Sequence, residues 1–390
     1  MHWSALLIVP AVFVAWFIAI RRYRPILICH WHEPVLKYPV VIIESDDWGP
    51  GTDKQVIRLQ EISTMLSRYQ DTTGRHPVIT IGVVLGVPDV AAIHQGGSAH
   101  YQRVTLADSR YSGLLAVLQD SVCQDVLALQ LHGMEHFWPS AFMRLAQQDS
   151  EVRRWLEQGD EAETETLPPS VQSRWVDGST LPSSPLELSA IQAAAREEMT
   201  AFGEIFGNLP TVAVPPTFIW TAEVERAWAA DGVQFVVTPG RRYTARNAQG
   251  QPADVDRQIF NGEIGDGGVR YLVRDIYFEP TLDHQAEQAL TEIKQRYRLG
   301  RPALLETHRF NFLGDELAHR HSLQELERLL DSVLREWPNV RFMSTKELGE
   351  AYQRGDSELF ERRWLTRIHV WLRRLITLGW LRKLTWIMVI

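Results

Sequence analysis

Val40-Val41-Ile42-Ile43-Glu44-Ser45-Asp46-Asp47 runs from four consecutive β-branched apolar residues straight into paired carboxylates. A continuous apolar run of this kind suits a strand buried on both faces, as in parallel sheets, with the polar residues after it at the carboxyl-terminal strand end. A second run, residues 126–131, ends in His132-Gly133-Met134-Glu135-His136. Reactive side chains gathered at strand ends are how a (β/α) architecture presents chemistry along one rim.

Working outward, short apolar runs recur at residues 40–43, 78–84, 126–131, 211–214, 233–237, 303–305 and 340–343, with helical segments between them. One helix is expected over residues 187–206, opening after Ser183-Ser184-Pro185 and closing at Gly207-Asn208; another covers 322–336 and stops before Pro338. This alternation predicts an α/β fold, a distorted (β/α) barrel of about seven strands occupying residues 36–355. Residues 147–185 change character, with Glu161, Glu163, Glu165 and Leu167-Pro168-Pro169, and are expected to form an insertion over the rim. The glycine-rich residues 261–268 lack the flanking strand and helix of a phosphate cradle and are expected to be a turn.

The ends differ from this middle. Residues 3–20 are apolar and uncharged and lead into Arg21-Arg22-Tyr23-Arg24, so residues 1–24 are expected to be a transmembrane anchor at the cell membrane. Because the basic residues follow the apolar segment, the positive-inside rule favours a cytoplasmic barrel. Residues 360–390 interleave Trp364, Leu365, Ile368, Leu372, Leu375, Ile376 and Trp386 with Arg363, Arg367, Arg373, Arg374, Arg382 and Lys383. They are expected to form a basic amphipathic helix on membrane lipids, its arginines turned outward. Across all 390 residues, a net charge of -8 argues against nucleic acid as a partner. Cys29 and Cys123 have no CxxC neighbour, so any metal must be held by nitrogen and oxygen.

Asp with two His is a ligand set for a divalent metal. The spacing H-x-x-x-H is expected to place His132 and His136 on one side of a helical turn, and a carboxylate from another strand end completes three ligands with one position open. Water activated there needs a base, and the departing group needs an acid; Asp46 and His308 fit those roles.

Asp46-Asp47, His132-x-x-x-His136, Pro215-Pro216 after Phe206-Gly207-Asn208-Leu209-Pro210, and Leu305-Glu306-Thr307-His308 together resemble the ordered motifs of the polysaccharide deacetylase (carbohydrate esterase) superfamily. The resemblance implies Asp46 as catalytic base, Asp47, His132 and His136 as ligands of a divalent metal, commonly zinc, and His308 as general acid. It also implies a distorted (β/α) barrel. Three positions depart from the family pattern: Val214 stands where an arginine usually orients the base, Gly133 replaces a Ser or Thr, and Glu44-Ser45 replaces a Thr-Phe lead. Arg309, next to His308, is the expected source of the missing charge. Trp48, Pro216 and Trp220 are expected to wall the substrate site, with Thr217 and Phe218 on the same rim, and Glu306 to point to the same side as His308.

The expected activity is metal-dependent removal of an N-acyl group, acetyl above all, from an amino sugar of a glycan or lipid-linked glycan precursor. Two rivals remain. A glycoside hydrolase would use Asp46 or Glu44 with Glu306, and a degenerate deacetylase would bind glycan without turnover.

Overall fold

The apolar run becomes the central strand, β1 (Val40–Trp48), buried along its whole length. The computed structural model describes residues 17, 21–96, 100–158 and 163–378. Apart from Phe17 and residues 21–24, the expected membrane anchor lies outside the described residues, as does the tail from residue 379. Among the described residues no helix is long and apolar enough to cross a membrane.

Around β1 the other strands are β2 (Ile79–Val83), β3 (Leu127–Leu131), β4 (Val212–Ala213), β5 (Phe235–Thr238), β6 (Arg270–Val273), β7 (Ile276–Tyr277), β8 (Ala303–His308) and β9 (Arg341–Phe342). They form one sheet in the order β6-β5-β4-β3-β2-β1-β8-β7, with β9 also pairing β1. Among the described residues every pairing within this sheet is parallel. The helices α1 (Lys54–Leu66), α2 (Ser112–Cys123), α3 (Leu188–Phe206), α4 (Ala222–Asp231), α5 (Ala286–Arg298) and α6 (Glu316–Glu336) follow or separate the strands. Each of the seven apolar runs forms a strand, and the sheet has nine. The two extra strands, β6 and β7, are short and bracketed by Arg270, Arg274 and Asp275, so no apolar run marks them. These two are also the sheet's edges, and among the described residues no ladder joins them, which leaves the barrel with a seam.

Alternation along the strands divides two cores. Val41 and Ile43 of β1 pack outward with helix residues such as Leu59 and Leu330. Val40 and Ile42 face the interior with Val212, Val214, Phe235, Leu272 and Leu304. That interior is plugged by α7 (Thr345–Arg354), whose Leu348, Ala351 and Tyr352 join the same cluster. A capping box at Ser344 and Glu347 starts α7.

The last described helix, α8 (Trp364–Ile376), does not present all its arginines outward. Arg374 is buried and donates to the carbonyls of His30, Glu33, Pro34, Leu299 and Gly300. Residues 21–32 are helical and pack beside α8, with Trp31 edge-on to Trp371 at 6.1 Å. Leu36 N–H donates to the Gly300 carbonyl, so this helix pair sits beneath the amino-terminal ends of β1 and β8.

Candidate metal and catalytic centre

Strands β1 and β8 run in register, pairing Glu44 with Glu306 and Asp46 with His308. Residues two apart share a face, so all four side chains enter the barrel as two rungs. Asp47 breaks the alternation: its φ is +71°, and the register against β2 shifts between Ser45 and Trp48. Asp tolerates this left-handed conformation better than most residues, and the bulge turns a second carboxylate toward the rim. Gly82 on β2 leaves the space beside Asp46, where a Cβ would collide with the Asp46 carboxylate.

His132 and His136 reach Asp47 from the end of β3. Each Nε2 lies 3.3 Å from Asp47 Oδ1, and one donor atom from each of the three residues falls within 4.8 Å of the others. The segment between the histidines is not the expected helical turn. It is a bend beginning at Gly133, whose φ of +96° lets the chain fold the second imidazole back over the first. His132 Nδ1 lies 3.0 Å from the Val214 carbonyl, which accepts its proton and leaves Nε2 as the lone-pair donor. Asp47 Oδ1 and Asp46 Oδ1 are buried without a hydrogen-bond partner. Two imidazole nitrogens and a carboxylate with an orphaned buried oxygen suit a divalent cation.

Electrostatics around the set separate a base from an acid. Burial works against ionisation of Asp46, yet the Arg274 guanidinium outweighs it and holds the carboxyl below its usual range. Asp47 is likewise held low: burial opposes, and the His136 and His132 side chains prevail. Burial drives His136 down to about 4. At His308 burial pulls toward the neutral ring, but Glu279, accepting from Nδ1 at 2.6 Å, lifts it to about 10. Asn311 holds Glu279 in turn.

Arg274 is the central cation of the interior and is 1% exposed. It donates to Glu44 at 2.8 Å and to Asp46 at 2.6 Å, and its Nε lies 3.3 Å from Glu306. Burial raises the pKa of both Glu44 and Glu306. Arg274 thus supplies the positive charge that Val214 cannot. Arg309, the expected source, instead grips Glu165 of the insertion at 2.7 and 3.0 Å. That pair draws the insertion across the rim, and Glu165 and Gln172 line the cavity.

The cavity holds about 250 Å³ and is lined by Asp46, Asp47, His132, His136, Arg274, Glu306, His308, Pro215, Thr217, Phe218 and Phe310 among others. Pro216, Trp48 and Trp220 are not in its wall. Pro216 is buried behind the rim, its ring 3.4 Å from where a Gly133 Cβ would stand. Trp48 donates to Ser45 Oγ and stacks toward Phe312; Trp220 donates to Glu225; both are fully buried. The expected tryptophan walls are core residues, and Phe218 and Phe310 are the aromatic rings at the mouth. Glu135, between the histidines, is also buried, clamped by Arg103 and Arg174. Sequence reading missed Arg274, Glu279 and Arg174. Arg274 and Glu279 flank the weakly marked β7, and a polar residue just past an unrecognised strand gives no signal.

No family model and no curated protein matches the chain. Solved structures similar to it include polysaccharide deacetylases and family 4 carbohydrate esterases. A peptidoglycan deacetylase from Bacillus subtilis is 9% identical, with 83% of this chain and 95% of that chain covered and a TM-score of 0.38. A family 4 acetyl xylan esterase from Clostridium thermocellum, in complex with a cobalt ion, is 10% identical over 81% and 92% of the two chains, with a TM-score of 0.38. A 4-alpha-glucanotransferase from Thermococcus litoralis is 8% identical over 80% of this chain and 40% of that chain, with a TM-score of 0.39. At this level of similarity, what the chain can do rests on its own site.

Proposed function

We propose that the chain is a metal-dependent hydrolase that removes an N-acyl group, chiefly acetyl, from an amino sugar of a glycan. One observation carries this reading: Asp47, His132 and His136 converge beside a carboxylate held ionised by Arg274 and an imidazole held protonated by Glu279. Asp47, His132 and His136 would hold the cation, which supplies Lewis acidity to the amide carbonyl and to the attacking water. Asp46 accepts the proton of that water as the new C–O bond forms. His308 donates its proton to the sugar nitrogen as the C–N bond breaks, releasing the free amine and acetate. Phe218, Phe310 and the insertion residues Glu165 and Gln172 bound the space for the sugar.

The glycosidase reading needs two carboxyls flanking a bond. Here Asp46, Glu44 and Glu306 all gather on one guanidinium, and Glu44 lies below the cavity, which favours the deacetylase. The degenerate-binder reading drew on Val214, and Arg274 removes that ground. The apolar residues 3–20, with Arg21, Arg22 and Arg24 after them, support attachment to a cell membrane with a cytoplasmic barrel, and so a glycan that grows on a lipid carrier.

The test is metal content together with acetate release from N-acetylated amino-sugar oligomers, for the parent, Asp47→Ala and His132→Ala. The expected result is stoichiometric metal and turnover in the parent and loss of both in the variants. A parent that binds glycan without metal or acetate release overturns the proposal.

A further inference from the structure

Among the described residues, helix α8 and the helix at residues 21–32 leave an apolar face uncovered at the end of the barrel opposite the cavity. Leu365, Leu372 and Ile376 lie along one side of α8 and are 65%, 48% and 65% exposed; Trp364 is 65% exposed and Ile28, on the neighbouring helix, 43%. Spacings of seven and four residues keep Leu365, Leu372 and Ile376 on one stripe. The helix is therefore apolar on two sides: Val370 and Leu375 go into the body, and the stripe faces out. Solvent-exposed helices do not ordinarily carry such a stripe.

Charge says what covers it. Neither helix contains a carboxylate, and Arg21, Arg22, Arg24, Arg362, Arg363 and Arg373 around the face are all exposed. The α5 end beside them adds exposed Arg298. Of the carboxylates near the pair, Glu33 and Glu361 are buried, Glu361 pairing with Arg363 at 2.9 Å, and Glu263, beside Cys29, is half-buried. Apolar side chains ringed by arginine, with Trp364 and Trp371 at the edge, match the boundary between acyl chains and anionic headgroups. The apolar residues 3–20 join the chain at this same place.

We propose that the face formed by α8 and residues 21–32 lies on an anionic bilayer, so that the catalytic cavity opens away from the membrane. The helix pair meets the amino-terminal ends of β1 and β8, whereas Asp46, Asp47 and His308 stand at their carboxyl-terminal ends. The seven steps from Val40 to Asp47 span about 23 Å at about 3.3 Å each, near 20 Å along the axis for a tilted strand. A helix beneath adds about 10 Å. The sugar that reacts is thus held about 30 Å from the lipid: a unit well along a glycan chain, not the one next to a lipid phosphate. This last consequence rests on the proposed deacetylase reading; the docking itself does not.

The test uses the full chain reconstituted in vesicles, with Cys29→Ser and Cys123→Ser, and an environment-sensitive fluorophore on Leu372→Cys or, in the turn just past the carboxyl-terminal end of β7, on Leu282→Cys. Both positions are exposed, so neither substitution disturbs packing. In vesicles of phosphatidylcholine with phosphatidylglycerol, the expected result is a blue shift at position 372 and an aqueous spectrum at 282. An aqueous spectrum at 372 in vesicle-bound protein, or a blue shift at 282, overturns the proposal. An equal shift at 372 in phosphatidylcholine alone overturns the anionic assignment. Energy transfer between labelled copies at high lipid dilution assigns the face to a second copy and also overturns it. No arm depends on turnover, so loss of acetate release with the 372 shift intact refutes only the deacetylase reading.

Discussion

Replacing Arg274 by Gln should damage the protein in two separable ways. The side chain is 1% exposed and faces three carboxylates, Glu44, Asp46 and Glu306, the last of which also lies 4.0 Å from the His308 ring. Removing one partner from a buried ionic cluster costs about 3–5 kcal/mol, because the remaining charges stay desolvated and uncompensated. With an unfolding entropy of about 2.1 cal/mol/K per residue, a barrel of this size loses about 1.4 °C per kcal/mol, so Tm should fall by roughly 4–7 °C. Activity should fall further than stability explains, since Asp46 loses both its orienting hydrogen bond and the charge that keeps it ionised. Adding Glu44→Gln relieves one of the buried carboxyls and should recover much of the Tm without recovering kcat, a coupling that a double-mutant cycle reads directly. Differential scanning calorimetry and acetate release on the four proteins make the comparison. An Arg274→Gln protein with unchanged Tm, or a double variant with restored kcat, would refute the reasoning.

Other substitutions test the remaining parts of the site. Glu279→Gln removes the group that lifts His308 to about 10; because a raised histidine is active as an acid below its pKa and lost above it, the alkaline limb of the rate profile should move toward neutral pH, measured against the parent at equal metal loading. Gly133→Ala forces an L side chain into φ +96° with a Cβ 2.9 Å from the Glu135 carbonyl, so metal content should drop while far-UV circular dichroism is retained; full metal occupancy would sink this account of the bend. Trp48→Ala should cost about 3–5 kcal/mol of stability as a core truncation, with KM for the glycan unchanged in the folded fraction. A raised KM with unaltered Tm would return Trp48 to the substrate wall.

Much of the barrel was legible because parallel strands are buried on both faces and are spelled as unbroken apolar runs. Residues 40–43 and 126–131 could hardly be other than strands, and whatever polar residues follow them arrive at the rim. His308 was legible by the same logic, and Glu306 by its spacing of two. The bend at Gly133 and the bulge at Asp47 were not, since a positive φ on an aspartate leaves no periodic trace. Trp48 illustrates the cost: read as one more rim residue, it is turned into the core by the extra residue before it. Arg274 escaped for a different reason. Its role is fixed by which strand edges meet in space, and the two strands beside it are too short and too polar to announce themselves. The contact of Glu165 with Arg309, 144 residues apart in the chain, needed the fold.

Arg274 stands in the chain between β6 and β7, the two strands whose edges the sheet leaves unjoined. Its guanidinium bonds to carboxylates on β1, in the middle of the sheet, and lies beside one on the neighbouring β8. The barrel is therefore drawn shut by charge where other barrels use backbone hydrogen bonds. Closing the wall and positioning the Asp46 carboxylate become one event: a molecule whose seam has opened also has a misdirected Asp46.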